Sequence, residues 1–266
     1  MWIDVLTAAA VVAAISLSLG ILLALFIRFF GIEDDEKVKN IKNALPGANC
    51  GACGFKGCAD YAESLAKGEA APNLCVPGGA TTAAALQDIL GVEVKAAAAK
   101  VAFVRCNGVS SATSKKAEYH GINTCKACSM LYGGDGACAF GCLGCGDCAA
   151  VCPTGAICLE EGIARINSEL CIGCGACARA CPKKIIAAVP KTATTFVNCS
   201  NKDKGADARR ACKNACIACK KCEKICPEGA ISVVDNCASI DYSKCTGCGA
   251  CAEGCPTGAI THIKKA

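Results

Sequence analysis

Sixteen cysteines of this chain fall into four copies of one spacing, C-x2-C-x2-C-x3-C-P. The copies run Cys142, Cys145, Cys148, Cys152; Cys171, Cys174, Cys177, Cys181; Cys216, Cys219, Cys222, Cys226; and Cys245, Cys248, Cys251, Cys255, each closed by a proline. Three close thiolates can grip one face of a four-iron cubane, and a distant fourth completes the set. Zinc sites also use paired C-x2-C elements, but they do not need four such runs at matching offsets. Gly146, Gly173, Gly175, Gly247 and Gly249 permit tight loops whose amides can turn toward sulfur. One departure is Lys220-Lys221, where the other runs keep glycine after the second cysteine.

The run is that of bacterial dicluster ferredoxins, in which the fourth cysteine ligates the neighbouring cluster. That swap predicts one cluster on Cys142, Cys145, Cys148 and Cys181, and its neighbour on Cys171, Cys174, Cys177 and Cys152. A second pair follows on Cys216, Cys219, Cys222 with Cys255, and on Cys245, Cys248, Cys251 with Cys226. Nearer the N-terminus, Cys50, Cys53, Cys58 and Cys75 read C-x2-C-x4-C-x16-C among glycines. This set can wrap a fifth cluster, Cys75 returning after a helix; a zinc knuckle is the alternative.

Eight of the 28 cysteines remain. A sixth cluster on Cys106, Cys125, Cys128 and Cys138 is one reading, with ligands drawn from Cys199 and Cys212 a rival and inert thiols a third. FVRCN at Cys106 resembles FVNCS at Cys199, while Cys138 and Cys212 each stand four residues ahead of a run. Cys158 and Cys237 lack repeated partners and read as buried small hydrophobes. His120 and His262 read as isolated, solvated residues.

The positioning elements follow from an internal repeat: adding 74 to each of the first eight run positions gives the last eight. The expected fold is α+β, in small domains stabilised by clusters rather than large cores. It comprises an N-terminal transmembrane helix (1–32), a small helical 4Fe-4S module (33–92) and a linker with a possible extra cluster (93–137). Two dicluster ferredoxin-like units (138–190 and 212–266) follow, joined by a connector (191–211). Each unit carries a hairpin, around Gly162 and Asn236. The Ala-rich stretch 76–100 reads as a linker with helical segments, able to let the first module swing.

No charge interrupts the chain between Asp4 and Arg28, enough apolar length for a membrane helix. Arg28, Lys37, Lys39 and Lys42 follow the span and no Lys or Arg precedes it, which places the cysteines on the cytoplasmic side. A reducing compartment also suits thiols kept for metal. The formal charge of +5 is modest, without a basic stripe for nucleic acid. No Ser-His-Asp set, phosphate loop or dinucleotide fingerprint occurs, so no flavin or nucleotide site is expected.

GANCGACGFKGCADYA and CLGCGDCAAVCPTGAI, placed after an anchor helix in this order, resemble the B subunit of Rnf ion-translocating ferredoxin:NAD⁺ oxidoreductases. The two-unit arrangement resembles the longer form of that family. The resemblance implies electron entry from soluble ferredoxin, relay through at least five [4Fe-4S] clusters and delivery to flavin-bearing subunits. Lys213, Lys220, Lys221 and Lys224 crowd one cluster loop and could steer an acidic ferredoxin; a solvated basic loop is the alternative. Competing functions are a relay for another membrane reductase without ion pumping, and a zinc-stapled membrane scaffold.

Overall fold

The computed structural model describes residues 2–30 and 35–263. The junction expected at 32/33 and the last three residues of the second unit lie outside the described residues. Helix α1 (Trp2–Phe30) is apolar on all sides, and its stretch Val5–Phe26 is unburied and long and apolar enough to cross a membrane. Its serine hydroxyls donate within the helix, Ser16 to the Val12 carbonyl (2.9 Å) and Ser18 to that of Ile15 (2.8 Å). Neither therefore needs water.

Helices α2 (Glu36–Ala44), α3 (Cys58–Ala66) and α4 (Gly79–Leu90) build the first module. Asp35 caps α2 by accepting from the Lys37 amide (3.1 Å). Ile41, Leu45, Tyr61, Leu65 and Leu86 share one buried cluster. The stretch 76–100 is thus not a simple linker. Its α4 buries Thr82, Ala83 and Leu86, and the Thr82 hydroxyl donates to the Ala44 carbonyl (3.1 Å). With Leu86 as its one fully buried large side chain, this face is hard to see in an alanine-rich run.

Chain order continues as β1 (Lys100–Val104), α5 (Cys125–Met130), α6 (Asp147–Ala150), β2 (Ile157–Glu160), β3 (Ile163–Ile166), α7 (Ala176–Ala180) and β4 (Ile186–Pro190). The second half holds β5 (Thr195–Val197), α8 (Gly205–Ala211), α9 (Lys221–Ile225), β6 (Ile231–Val234), β7 (Cys237–Ile240), α10 (Ala250–Glu253) and β8 (Ile260–His262). The halves match. β1 pairs antiparallel with β4, and β5 with β8. Each opening strand therefore comes from ahead of its cysteine runs. The hairpins β2–β3 and β6–β7 turn at Glu161-Gly162 (φ 48° and 81°) and Asp235-Asn236 (φ 48° and 61°). Positive φ at both central residues is the I′ geometry that matches strand twist.

The halves are not beads on a string. Val104, Ile163 and Ile186 of the first share one buried core with Val197, Ile231 and Ile260 of the second. Phe103 stacks on Phe196 at 4.6 Å, so the two like motifs meet face to face, a pair contributing about 1 kcal/mol beyond burial. The first module is tied in by Arg179, whose guanidinium donates to the carbonyls of Cys50 (2.7 Å) and Cys174 (3.3 Å). A methyl on Gly173 would stand 2.3 Å from the Lys100 carbonyl, so only glycine fits there.

Two left-handed positions recur in each run. Glycine fills both in three runs, but the third has Ala218 (φ 54°) and Lys220 (φ 57°). A left-handed L-residue costs roughly 1–2 kcal/mol. Lys220→Gly is therefore expected to raise the guanidinium unfolding midpoint of the anaerobic protein slightly, since strain relief exceeds the added unfolded-chain entropy. A lowered midpoint would show that Lys220 makes compensating contacts.

Candidate iron–sulfur centres

None of the 28 cysteines is paired in a disulfide. In the first module, Asn49 Oδ1 accepts from the Cys58 amide (2.8 Å), closing the loop that carries Cys50 and Cys53. The buried Tyr61 hydroxyl donates to the Ala71 carbonyl (2.8 Å) and accepts from the Leu74 amide (3.3 Å), fixing the approach to Cys75. Burial raises the Cys75 thiol above its ordinary value, as does proximity to Cys58, Cys50 and Cys53. Those four side chains are brought together.

In the second half, Cys216, Cys219, Cys222 and Cys255 line one cavity of about 20 Å³. Cys226, Cys245, Cys248 and Cys251 line another of the same size. Each set takes its fourth member from the other run. In the first half, Cys177 neighbours Cys171, Cys174 and Cys152. Burial opposes ionisation of Cys152, but the Thr154 hydroxyl and the amides of Thr154, Ala156 and Gly155 together hold its thiol below the ordinary value. The Ala102 amide donates to Cys171 Sγ (3.3 Å) and the Ala230 amide to Cys226 Sγ (3.3 Å). Such N–H···S bonds stabilise charge on sulfur and tune cluster potential.

The remaining site differs from expectation. Its cavity is lined by Cys142, Cys148, Cys181 and Cys125, while Cys145 turns toward Cys125 and Cys128. Burial and these two neighbours push the Cys145 thiol up to about 12. The cause is α5. Thr124 caps it, accepting from the Ala127 amide (3.1 Å), and the Asp147 carboxylate receives the Cys125 (2.8 Å) and Lys126 (3.0 Å) amides. Asp147 was the missed signal: the other runs have Ala176, Lys221 and Ala250 at this position.

The set Cys106, Cys125, Cys128 and Cys138 is not gathered. Cys125 and Cys128 sit by Cys145, whereas Cys106 and Cys138 face a different cavity. Cys237 is buried against Cys199 and Cys216, its thiol raised by hydrogen bonding to both sulfurs. Cys158 is exposed rather than buried, its sulfur 3.3 Å from Glu160 Oε1. His120 is exposed, but His262 is half-buried with Nδ1 3.0 Å from Thr195 Oγ1. Lys213, Lys220, Lys221 and Lys224 are exposed, as is Cys219, which shares a cavity lining with Lys220 and Lys221.

The donor chemistry fits iron–sulfur clusters. The thiols are grouped in fours, they accept backbone amides, and several ring small cavities. Such an assembly is a multi-cluster protein of ferredoxin type. Family models match accordingly: "Putative Fe-S cluster" over residues 45–77, "4Fe-4S dicluster domain" over 141–185 and 170–230, and "4Fe-4S binding domain" over 238–261.

Whole-chain similarity narrows the class. The chain is 42% identical over 241 residues to the B subunit of the Na⁺-translocating ferredoxin:NAD⁺ oxidoreductase complex of Acetobacterium woodii, covering 90% of this chain and 72% of that one. It is 43% identical over 235 residues to the proton-translocating counterpart of Clostridium ljungdahlii, covering 88% and 83%. The B subunit of the ion-translocating oxidoreductase complex of Methanosarcina acetivorans is 39% identical over 205 residues, covering 77% and 78%. The chain belongs to this family of B subunits, that is, to the electron-transfer subunits of ion-translocating oxidoreductase complexes.

Proposed function

We propose that this chain takes electrons from reduced soluble ferredoxin and relays them to flavin-bearing partner subunits of a ferredoxin:NAD⁺ oxidoreductase. The complex sits in the cell membrane, with α1 as anchor and the clusters on the cytoplasmic side. One observation carries the reading: cysteine sets with ferredoxin-type exchange of the fourth ligand, on a chain homologous to these B subunits over most of its length. Bound clusters supply one-electron acceptance and release. The protein's part is to hold them. Cys50, Cys53, Cys58 and Cys75 hold one; Cys152, Cys171, Cys174 and Cys177 a second; the two sets of the second half a third and fourth; and Cys142, Cys148 and Cys181 most of a fifth.

The test is iron, acid-labile sulfide and zinc per chain after anaerobic purification. About twenty irons or more with matching sulfide, bleaching on addition of reduced ferredoxin, is the expected result. Abundant zinc with little iron would replace the relay by a scaffold.

Electron entry falls at the loop of Lys213, Lys220, Lys221 and Lys224, whose exposed lysines include the two beside the exposed cluster cysteine Cys219. Changing Lys220, Lys221 and Lys224 together to Gln is expected to slow reduction by ferredoxin about tenfold at low salt and to flatten its salt dependence. Iron content should not change. An unaltered rate would move the entry point elsewhere.

A further inference from the structure

We propose that Cys106, Cys138, Cys199 and Cys212 form one further iron–sulfur site, shared equally between the two halves of the molecule. This rests on the reading of the chain as a cluster carrier. All four line a single cavity of about 40 Å³, against about 20 Å³ at the ferredoxin-type cavities. A methyl on Gly108 would lie 3.5 Å from Cys106 Sγ and 3.8 Å from Cys212 Sγ, filling the space these sulfurs border.

The arrangement is two-fold in its details. The Cys142 amide donates to Cys106 Sγ (3.4 Å), and the corresponding Cys216 amide to Cys199 Sγ (3.3 Å). Two residues past each cysteine, the Gly108 amide donates to Cys106 Sγ (3.4 Å) and the Asn201 amide to Cys199 Sγ (3.5 Å). Asn201 Nδ2 adds a bond to Cys138 Sγ (3.4 Å). Duplication explains why two like cysteines come from each half; it does not explain why they converge. The seam is held by main-chain bonds, Lys213 amide to Ala112 carbonyl (2.8 Å), and by the Thr113 hydroxyl donating to the Ala211 carbonyl (2.8 Å).

Sulfurs that accept amides around a pocket are built for a thiolate cluster. The position also has a use. Cys142 and Cys216 belong to loops of different dicluster units, and each touches this site through its own amide. A cluster here joins the two units.

The test is chemical counting, with ⁵⁷Fe Mössbauer spectra as a second readout. The unaltered chain is expected to hold about 24 irons and as many sulfides. Cys106→Ser, Cys199→Ser and Cys212→Ser should each lose about four, and Cys106→Ser with Cys199→Ser no more than either alone. Cys158→Ala should lose none. About twenty irons in the fully loaded unaltered chain would overturn the site while leaving the relay reading intact, and that measurement needs no variant to fold. One zinc beside about twenty irons, or additive losses of about eight in the double variant, would also overturn it. A chain without iron would remove both readings.

Discussion

Cys125→Ser is expected to strip about four irons from the chain, and Cys145→Ser to leave the iron content unchanged. The reverse would be expected of any ferredoxin, whose second run cysteine is a ligand. Here the cavity of that site is bounded by Cys125 with Cys142, Cys148 and Cys181. The two cavities of the second half are bounded by their own run cysteines. What separates the cases is chain length. Thirty-five residues lie between Cys106 and Cys142, and sixteen between Cys199 and Cys216. The surplus carries α5, anchored by Asp147, which delivers a thiol the second half has no means to supply. Iron and sulfide analysis of both variants decides the matter. Loss of iron from Cys145→Ser alone would restore the ordinary ligand set.

Removal of residues 2–30 is expected to move the chain from the membrane to the soluble fraction with its iron intact. Twelve of the residues Val5–Phe26 are Leu, Ile, Val or Phe. At about 0.3–0.6 kcal/mol each near the centre of a helix, they favour insertion by roughly 4–7 kcal/mol, before small losses at Ser16, Ser18 and Gly20. That is a partition factor of roughly a thousand or more. Removal takes away no buried surface of the span Val5–Phe26, which is unburied. Continued membrane association of the shortened chain would mean that partner subunits, not α1, hold it there. Loss of iron would mean that the helix supports the first module.

The sequence exposed the ligands that lie in regular runs, and for a physical reason. Cluster ligation fixes local spacing, so the four runs, their 74-residue offset and their hairpins are written in contiguous residues. Glu161-Gly162 and Asp235-Asn236 are likewise local signals, and both turns form where those residues stand. Contacts set by long-range pairing were not legible. Nothing in KVAFV announces that β1 will pair with residues 186–190 across the whole first unit. The convergence of Cys106 and Cys138 with Cys199 and Cys212 depends on how two units dock, which no window of sequence contains. Cys158 could have been placed correctly. It follows the buried Ile157 in a strand, so alternation turns it outward, and its repeat equivalent Ser232 is exposed for the same reason.

The strand exchange at the ends of each half decides where this protein can be cut. A fragment beginning at Cys138 would keep every ligand of the first two runs yet discard β1, leaving the edge of β4 bare. One beginning at Cys212 would do the same to β8 by losing β5. Bare edges invite pairing with other chains, so fragments cut at the cysteine repeat would associate through their missing strands. Boundaries drawn before Lys100 and before Thr195 follow the backbone, although the second still severs the core that the two halves share.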